Sequence, residues 1–141
     1  MLKFKGACHC GNISVIYKTS IPPKDAKPRA CQCSFCRKHS TRALSDPLGH
    51  LAITIADSAC LGRYQFSTNS TEFLVCSTCG VYVSAYMSDG NCGYANVMAN
   101  ALLDHDAFGP GIVIDYGEEN EAQKRKRRRQ KWTPATLTIR R

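Results

Sequence analysis

The sequence has 141 residues, of which 43% are hydrophobic, and its formal net charge is +8. A chain of this length is typical of one domain with a single small core, and its hydrophobic content excludes disorder of the whole chain. Apolar stretches run only a few residues, so no membrane span is predicted, and residues 1–6 lack the apolar segment of a signal peptide. We therefore expect residues 1–141 to form a single domain in the cytoplasm or the nucleus. In such reducing compartments cysteines bind metals or serve catalysis more often than they form disulfides.

The positive charge is concentrated near the C-terminus. Residues 1–120 hold ten basic and ten acidic residues, whereas residues 121–141 hold nine basic residues and one acid, Glu121. Most of the excess lies in the basic run, which we define as residues 124–129. The body of the domain is therefore neutral, and no basic face is predicted to cover it.

Short strands separated by turns are predicted along most of the chain. Ile13, Val15 and Tyr17 alternate with other residues as in a half-buried strand. A proline-containing loop follows this strand. Further strands are predicted at residues 51–55, 63–66, 72–75, 81–86, 94–97 and 112–116. Many short strands without an internal repeat favour a mainly β domain.

A basic helix and a closing strand are predicted for the C-terminal segment. Acidic residues precede the basic run, an order that complements the helix dipole, and the segment consists of good helix formers. We expect an exposed helix over residues 118–131 and a final strand over residues 135–139. We interpret the cations as a solvated face, with contact to nucleic-acid phosphates as the alternative.

Seven of the nine cysteines fall into three clusters: Cys8-His9-Cys10-Gly11, Cys31-Gln32-Cys33-Ser34-Phe35-Cys36 and Cys76-Ser77-Thr78-Cys79-Gly80. In an extended C-x-C segment, positions i and i+2 project to the same side, so each such pair can present two thiolates together. Cys36 returns after a further turn as a third thiolate beside Cys31 and Cys33. The C-x-x-C-G segment is typical of a zinc knuckle, in which Gly80 permits a positive φ.

The number of thiolates indicates how the clusters combine. Structural zinc takes four thiolates, so Cys8 and Cys10 are predicted to join Cys76 and Cys79 in a closed site. The remaining cluster offers three thiolates, and three protein ligands with one free position are typical of catalytic zinc. Disulfides are the rival interpretation, but C-x-C pairs would form strained small rings, and seven cysteines cannot all pair.

Other residues can complete or modify the three-thiolate site. His39 follows Cys36 by three residues, and its ligation would make this second site structural. Four further candidates for the same position are more distant in sequence: Asp46, His50, Cys60 and Cys92. The lone cysteines are also typical of small buried residues. Cations near the cluster can offset its negative charge and attract an acidic substrate: Arg37, Lys38 and Arg42.

At these cysteines the sequence resembles the glutathione-dependent formaldehyde-activating enzyme family, which includes centromere protein V. The resemblance rests on the segments 6–11, 31–38 and 76–80 and extends to the region of Trp132. It implies a small β-tent of coiled antiparallel sheets with two Zn²⁺ sites. It also implies that Cys8, Cys10, Cys76 and Cys79 are structural ligands, whereas Cys31, Cys33 and Cys36 hold the catalytic zinc.

A free position on zinc leads to a hypothesis for the reaction. A small thiol, glutathione being the expected one, binds the second zinc as a thiolate, a form that is otherwise a minority near neutral pH. Its sulfur attacks a small aldehyde such as formaldehyde, and the product is S-(hydroxymethyl)glutathione. The reverse step is that of a carbon–sulfur lyase.

Two other functions are also compatible with the sequence. The first is a non-catalytic zinc-binding module that contacts nucleic acid or a protein partner through the basic helix. The second is a thiol–disulfide or methionine-sulfoxide reductase, which needs a reactive Cys60 or Cys92. Neither of these cysteines lies in a redox motif.

Overall fold

The computed structural model describes residues 1–140, which form a mainly β structure. Alternating apolar residues and frequent turns produce eleven strands: β1 (Leu2–Ala7), β2 (Ile13–Thr19), β3 (Arg29–Cys31), β4 (Ala43–Leu44), β5 (His50–Ile55), β6 (Leu61–Tyr64), β7 (Glu72–Cys76), β8 (Tyr82–Asp89), β9 (Cys92–Met98), β10 (Ile112–Ile114) and β11 (Thr133–Ile139). The mainly β prediction is thus confirmed.

Helices form a small part of the fold. The short helix α1 (Ser34–Arg37) follows β3, and the basic helix α2 (Glu121–Lys131) connects β10 to β11. Single 3₁₀ turns occur at Ser58–Cys60, Ala99–Ala101 and His105–Ala107. Within residues 1–140, no helix has the length and apolar character that crossing a membrane requires.

The strands belong to one open, branched sheet. Its main path runs β1-β2-β5-β11-β9-β4-β3-β10, and β8, β7 and β6 extend from β9 in that order. Strand β9 is the branch point: β11 pairs with residues 93–95 and β4 with residues 97–98, whereas β8 pairs along the other edge. This arrangement brings β3 and the β7–β8 hairpin into one structure.

Two strand pairs are parallel, although the β-tent prediction specified antiparallel sheets. Strand β11 runs parallel to β5, and β10 runs parallel to β3. Both β10 and β11 reach the sheet after long connections from their partners, and parallel pairing requires such crossovers. The helix α2 thus lies between two strands, β10 and β11, that are hydrogen-bonded into the sheet.

The alternating strands bury the core as their pattern predicts. Ile13, Val15 and Tyr17 of β2 are at most 3% exposed, and so are Leu51, Ile53 and Ile55 of β5. A second cluster surrounds Trp132, at the end of α2, with Ala43, Tyr82, Ala85, Met87 and Met98. This second cluster packs α2 against the sheet.

The C-terminal elements differ in detail from the predicted ones. The helix begins at Glu121 and not at residue 118, because the Asn120 side chain and Gln123 form a capping box that fixes its first turn. The strand begins at Thr133, two residues before the predicted start, since Thr133 and Pro134 already pair with β9. The helix is also not solvated on every face, because Arg128 is only 9% exposed.

A prediction concerns Asp46, which is 3% exposed. Its carboxylate accepts hydrogen bonds from the Thr19 hydroxyl at 2.6 Å, the Leu48 amide at 2.9 Å and the Ser20 amide at 3.4 Å. Asp46→Ala leaves the buried Thr19 hydroxyl and two partly buried amides unpaired, so we expect the free energy of unfolding in urea to fall by about 2–3 kcal/mol. The control Asp106→Ala, whose side chain is 94% exposed, should change it by less than about 0.5 kcal/mol. Equal stabilities of the two variants would contradict this role.

Candidate metal centres and the adjoining cavity

The first cysteine group combines the N-terminal turn with the knuckle after β7. The sulfurs of Cys8, Cys10, Cys76 and Cys79 all lie within 4.8 Å of one another. The Cys10 and Cys76 sulfurs are 3.4 Å apart, although these residues are separated by 66 positions. The structure thus brings together the four cysteines that the sequence analysis assigned to a closed site.

A turn, and not an extended segment, brings Cys8 and Cys10 together. The Gly11 amide donates to the Cys8 carbonyl at 3.1 Å, and Gly11 has a φ of +87° that favours glycine. The Ile13 amide donates to the Cys8 sulfur at 3.3 Å. The expected alternation of a C-x-C strand is therefore wrong for this pair, because β1 ends at Ala7.

The knuckle has the predicted local geometry. Gly80 has a φ of +79°, and its amide donates to the Cys76 carbonyl at 2.8 Å. A backbone amide also donates to a sulfur of this group: the Cys79 amide donates to the Cys76 sulfur at 3.4 Å. Hydrogen bonds from the backbone amides of Cys10 and Val81 lower the pKa of the Cys79 thiol to about 6. The knuckle therefore stabilises thiolates, the form that binds metals.

The second group, which we call the cysteine trio, consists of Cys31, Cys33 and Cys36. Cys31 ends β3, Cys33 caps the N-terminus of α1, and Cys36 is a buried residue of that helix. The three sulfurs lie within 4.8 Å of one another, and the Cys36 amide donates to the Cys33 sulfur at 3.3 Å. The short helix thus returns the third thiol to the first two.

Hydrogen bonding within the cysteine trio favours an anion at Cys33. The thiols of Cys31 and Cys36 donate to this sulfur, and with the amides of Cys36 and Phe35 they lower the pKa of Cys33 to about 2. Hydrogen bonds with the Cys31 and Cys33 sulfurs raise the pKa of Cys36, with burial adding to the effect. The trio therefore stabilises negative charge on sulfur even without a bound metal.

Among residues 1–140, no other His, Cys, Asp or Glu side chain joins the cysteine trio within the same 4.8 Å. The imidazole of His39 lies instead against Phe35 and Tyr82, with ring centroids 4.4 Å and 5.4 Å away. The other candidates that the sequence offered for a fourth ligand are also outside the group: Asp46, His50, Cys60 and Cys92.

A cavity of about 310 Å³ adjoins the cysteine trio. Aromatic residues, including Phe73 and Tyr82, line part of it, and its charged lining residues are four cations and one acid, Asp115. The cations come from β3 and α2: Arg29, Lys124, Arg127 and Arg128. A cavity with this charge favours an anionic ligand.

These cations are not the ones that the sequence analysis selected. Arg37 and Lys38 are exposed on α1 and its C-cap, and they do not line the cavity. Arg42 hydrogen-bonds the Asn100 side chain at 2.8 Å and backbone carbonyls, including that of Phe108 at 3.0 Å. Sequence proximity to the cysteines was therefore a poor guide to which charges face them.

One of the missed residues had a signal in the sequence. Arg29 precedes Cys31 by two residues in β3, and alternate residues of a strand share a face. The cations of α2 had no such signal, because the helix reaches the cavity only through the pairing of β10 and β11.

Three of the six cations of the basic run pair with acids of the protein. Arg125 and Arg129 both pair with Asp89, at 3.7 Å and 3.0 Å. Arg127 pairs with Glu119 at 3.0 Å. Lys124 and Lys126 have no acidic partner within the part of the chain that the structure describes. The nucleic-acid interface thus stays a prediction, because acids of the protein compensate half of the charges of the run.

The donor atoms of both groups fit zinc. Thiolate sulfur is a soft ligand that selects zinc over the hard cations calcium and magnesium, and tetrahedral sets of four cysteines are common structural sites. The first group supplies four such sulfurs and the cysteine trio supplies three. Zinc binding at both groups is therefore chemically consistent with the side chains present.

Comparisons with known proteins agree with this description. The family model described as glutathione-dependent formaldehyde-activating enzyme matches residues 3–126. The crystal structure of a Rhodobacter sphaeroides protein, a structural genomics target, is similar, with 29% sequence identity and a TM-score of 0.53. That alignment covers 70% of this chain and 87% of the other. No match was found among the curated proteins.

The depressed pKa of Cys33 predicts an unusual pH dependence of alkylation in metal-free protein. Because a pKa of about 2 keeps this group a thiolate throughout pH 5–8, its labelling rate with iodoacetamide should be nearly constant there. Free glutathione, with a thiol pKa of about 8.5, should slow about tenfold per pH unit. Peptide mapping by mass spectrometry measures the rate, and circular dichroism checks the fold at each pH.

The matched variant for this measurement is Cys31→Ala, which removes the first of the two thiols that donate to Cys33. We expect its Cys33 labelling to become slower and dependent on pH. A tenfold decrease per pH unit in the unsubstituted protein would show that Cys33 is an ordinary thiol.

Proposed function

This chain belongs to the glutathione-dependent formaldehyde-activating enzyme family, and we propose that it joins glutathione to a small aldehyde such as formaldehyde. The product is S-(hydroxymethyl)glutathione, and cleavage of the same bond makes the protein a carbon–sulfur lyase. One observation carries the proposal: the cysteine trio faces a cavity that has cationic walls and room for a small peptide.

We further propose two zinc sites with different roles. Cys8, Cys10, Cys76 and Cys79 would hold a structural zinc that links the N-terminal turn to the β7–β8 hairpin. Cys31, Cys33 and Cys36 would hold a catalytic zinc, which needs three protein ligands. A zinc ion at the trio supplies Lewis acidity and favours the thiolate form of an incoming thiol.

The residues of the cavity balance the charge of the bound reactants. With Zn²⁺ bound, the three thiolates of the trio would carry a net charge of −1, and a substrate thiolate beside them would bring the net charge to −2. The nearby guanidinium groups of Arg29 and Arg128 stabilise this negative charge because the cavity wall holds them away from bulk water. Their presence therefore favours the thiolate over the neutral thiol.

Tyr82 offers a proton donor beside the cysteine trio. It is 6% exposed, and burial together with the nearby charges of Cys36 and Cys33 raises the pKa of its phenol. Its Oη therefore keeps its proton at neutral pH and can donate a hydrogen bond to the carbonyl oxygen of an aldehyde. In the overall reaction a carbon–sulfur bond forms, and the proton lost by the thiol ends on that oxygen.

The catalytic proposal predicts faster exchange between formaldehyde, glutathione and their adduct. We expect two-dimensional exchange NMR to show an exchange rate that rises in proportion to protein concentration. Cys33→Ser should abolish the increase, because it removes one of the three sulfurs. The control Cys92→Ser changes an exposed cysteine outside both groups and should retain the wild-type rate. Equal exchange rates with and without protein would exclude catalysis of this reaction.

The two-zinc proposal predicts separate effects of the two groups. Plasma mass spectrometry should find two zinc ions per wild-type chain and one in Cys33→Ser. Cys10→Ser should also lose one zinc, and its melting temperature should fall by about 10 °C or more, because metal binding at a structural site contributes directly to folding. Cys10 is exposed, so this loss reports the metal site and not core packing.

The control for the zinc measurement is again Cys92→Ser, which should keep both ions and the wild-type melting temperature. Retention of two zinc ions in Cys10→Ser would contradict the assignment of the structural site. A decrease in melting temperature for Cys33→Ser as large as that for Cys10→Ser would contradict the division of roles.

A further inference from the structure

Three buried polar atoms without a hydrogen-bond partner in the described chain belong to residues that line the cavity beside the cysteine trio. Within residues 1–140, four buried side-chain atoms lack a hydrogen-bond partner, namely Arg29 Nη2, Thr41 Oγ1, Thr71 Oγ1 and Arg128 Nε. Three of them belong to residues that line this one cavity: Arg29, Thr71 and Arg128. Buried polar groups are nearly always paired, so three unpaired groups in one cavity indicate a polar ligand.

Arg128 is the most informative of the three. It is 9% exposed, its Nη1 donates to the Ser70 hydroxyl at 2.7 Å, and its guanidinium lies 5.1 Å from the ring centroid of Trp132. No carboxylate of residues 1–140 pairs with it, whereas the neighbouring Arg127 is bound by Glu119. These contacts fix the orientation of the guanidinium but leave its charge uncompensated.

The charge on Arg128 persists at neutral pH. Burial, with repulsion from Arg127 and Arg125, lowers its pKa to about 10, which is still well above 7. A buried and unpaired guanidinium is unfavourable, and a ligand carboxylate relieves this cost through charge-assisted hydrogen bonds. The cation therefore gives the cavity a specific preference for an acidic ligand.

We propose that Arg29, Thr71 and Arg128 form a carboxylate-binding subsite that selects an acidic thiol over a neutral one. All three supply N–H or O–H donors, and the planar guanidinium suits the two oxygens of a carboxylate. The inference rests on the proposed function, because it places the acid group of the same thiol whose sulfur reaches the cysteine trio.

The subsite includes a residue of α2 that lies beyond the matched range. The family model matches residues 3–126, and Arg128 and Trp132 follow that range. The second half of α2 thus supplies part of the cavity wall through Arg127 and Arg128.

The test uses binding of a ligand without a free thiol, so that it is independent of metal chemistry and turnover. S-methylglutathione retains both carboxylates of glutathione, and its dimethyl ester carries neither. Trp132, the one tryptophan of the chain, lines the cavity, so its fluorescence reports binding, and calorimetry provides an independent dissociation constant. We expect the diacid to bind wild-type protein at least tenfold more tightly than the ester.

Three variants test which residues cause the preference for the diacid over the ester. Arg128→Gln should raise the dissociation constant of S-methylglutathione about tenfold. Thr71→Val, which keeps the shape of the side chain, should raise it a few-fold. Arg129→Gln changes an exposed residue of the same helix that does not line the cavity, and it should leave the constant within twofold.

The outcomes are separable even if Arg128→Gln fails to fold. In that case the dissociation constant of Thr71→Val, and the comparison of diacid with ester in wild-type protein, still test the subsite in folded protein. Equal affinity for diacid and ester, or equal affinity of wild type and folded Arg128→Gln, would overturn the subsite.

The formaldehyde exchange measurement can fail without affecting these binding results, and it can succeed while the subsite is absent. The failures of the two proposals are therefore distinguishable.

Discussion

The pairing of β9 with three neighbouring strands is the constraint on which both cysteine groups depend. Along one edge β9 holds β8, and through β8 it holds β7, which ends at Cys76. Along the other edge it holds β11 and then β4, and β4 aligns β3, which ends at Cys31. Backbone hydrogen bonds set the positions of these strands, so the sheet holds the cysteine trio and the knuckle in place. Within each group, only short turns are then needed to bring the sulfurs together.

The same topology explains why a basic helix lies beside a group of thiols. The helix α2 begins shortly after β10, which pairs with β3, and ends at β11, which pairs with β9 and β5. Burial of Trp132 against Tyr82 and Met98 then fixes the end of the helix on the sheet. The cations of α2 that face inward therefore meet the negative charge of the trio, and those that face outward meet acids such as Asp89.

Local patterns in the sequence were sufficient for eight of the eleven strands and for the two sets of cysteines, whereas β1, β3 and β4 were not predicted. The alternation through Ile13, Val15 and Tyr17 predicts a buried strand face because side chains alternate along any strand. The spacing of Cys76 and Cys79 before Gly80 likewise predicts a knuckle, since the turn depends only on those five residues. The turn at Cys8 shows where this reasoning fails, because the end of β1 is set by its pairing with β2.

The sequence by itself determined which cysteines cluster, because the spacing within each C-x-C or C-x-x-C segment is a short-range property of the chain. It also determined that most of the excess charge lies in one C-terminal helix. Only the tertiary structure decided that Arg29, Thr71 and Arg128 share a cavity with the cysteine trio, and that Arg42, close to the trio in sequence, is occupied with backbone carbonyls instead. Burial and charge compensation depend on which strands are neighbours, and that information lies in long-range pairing and not in the spacing of residues.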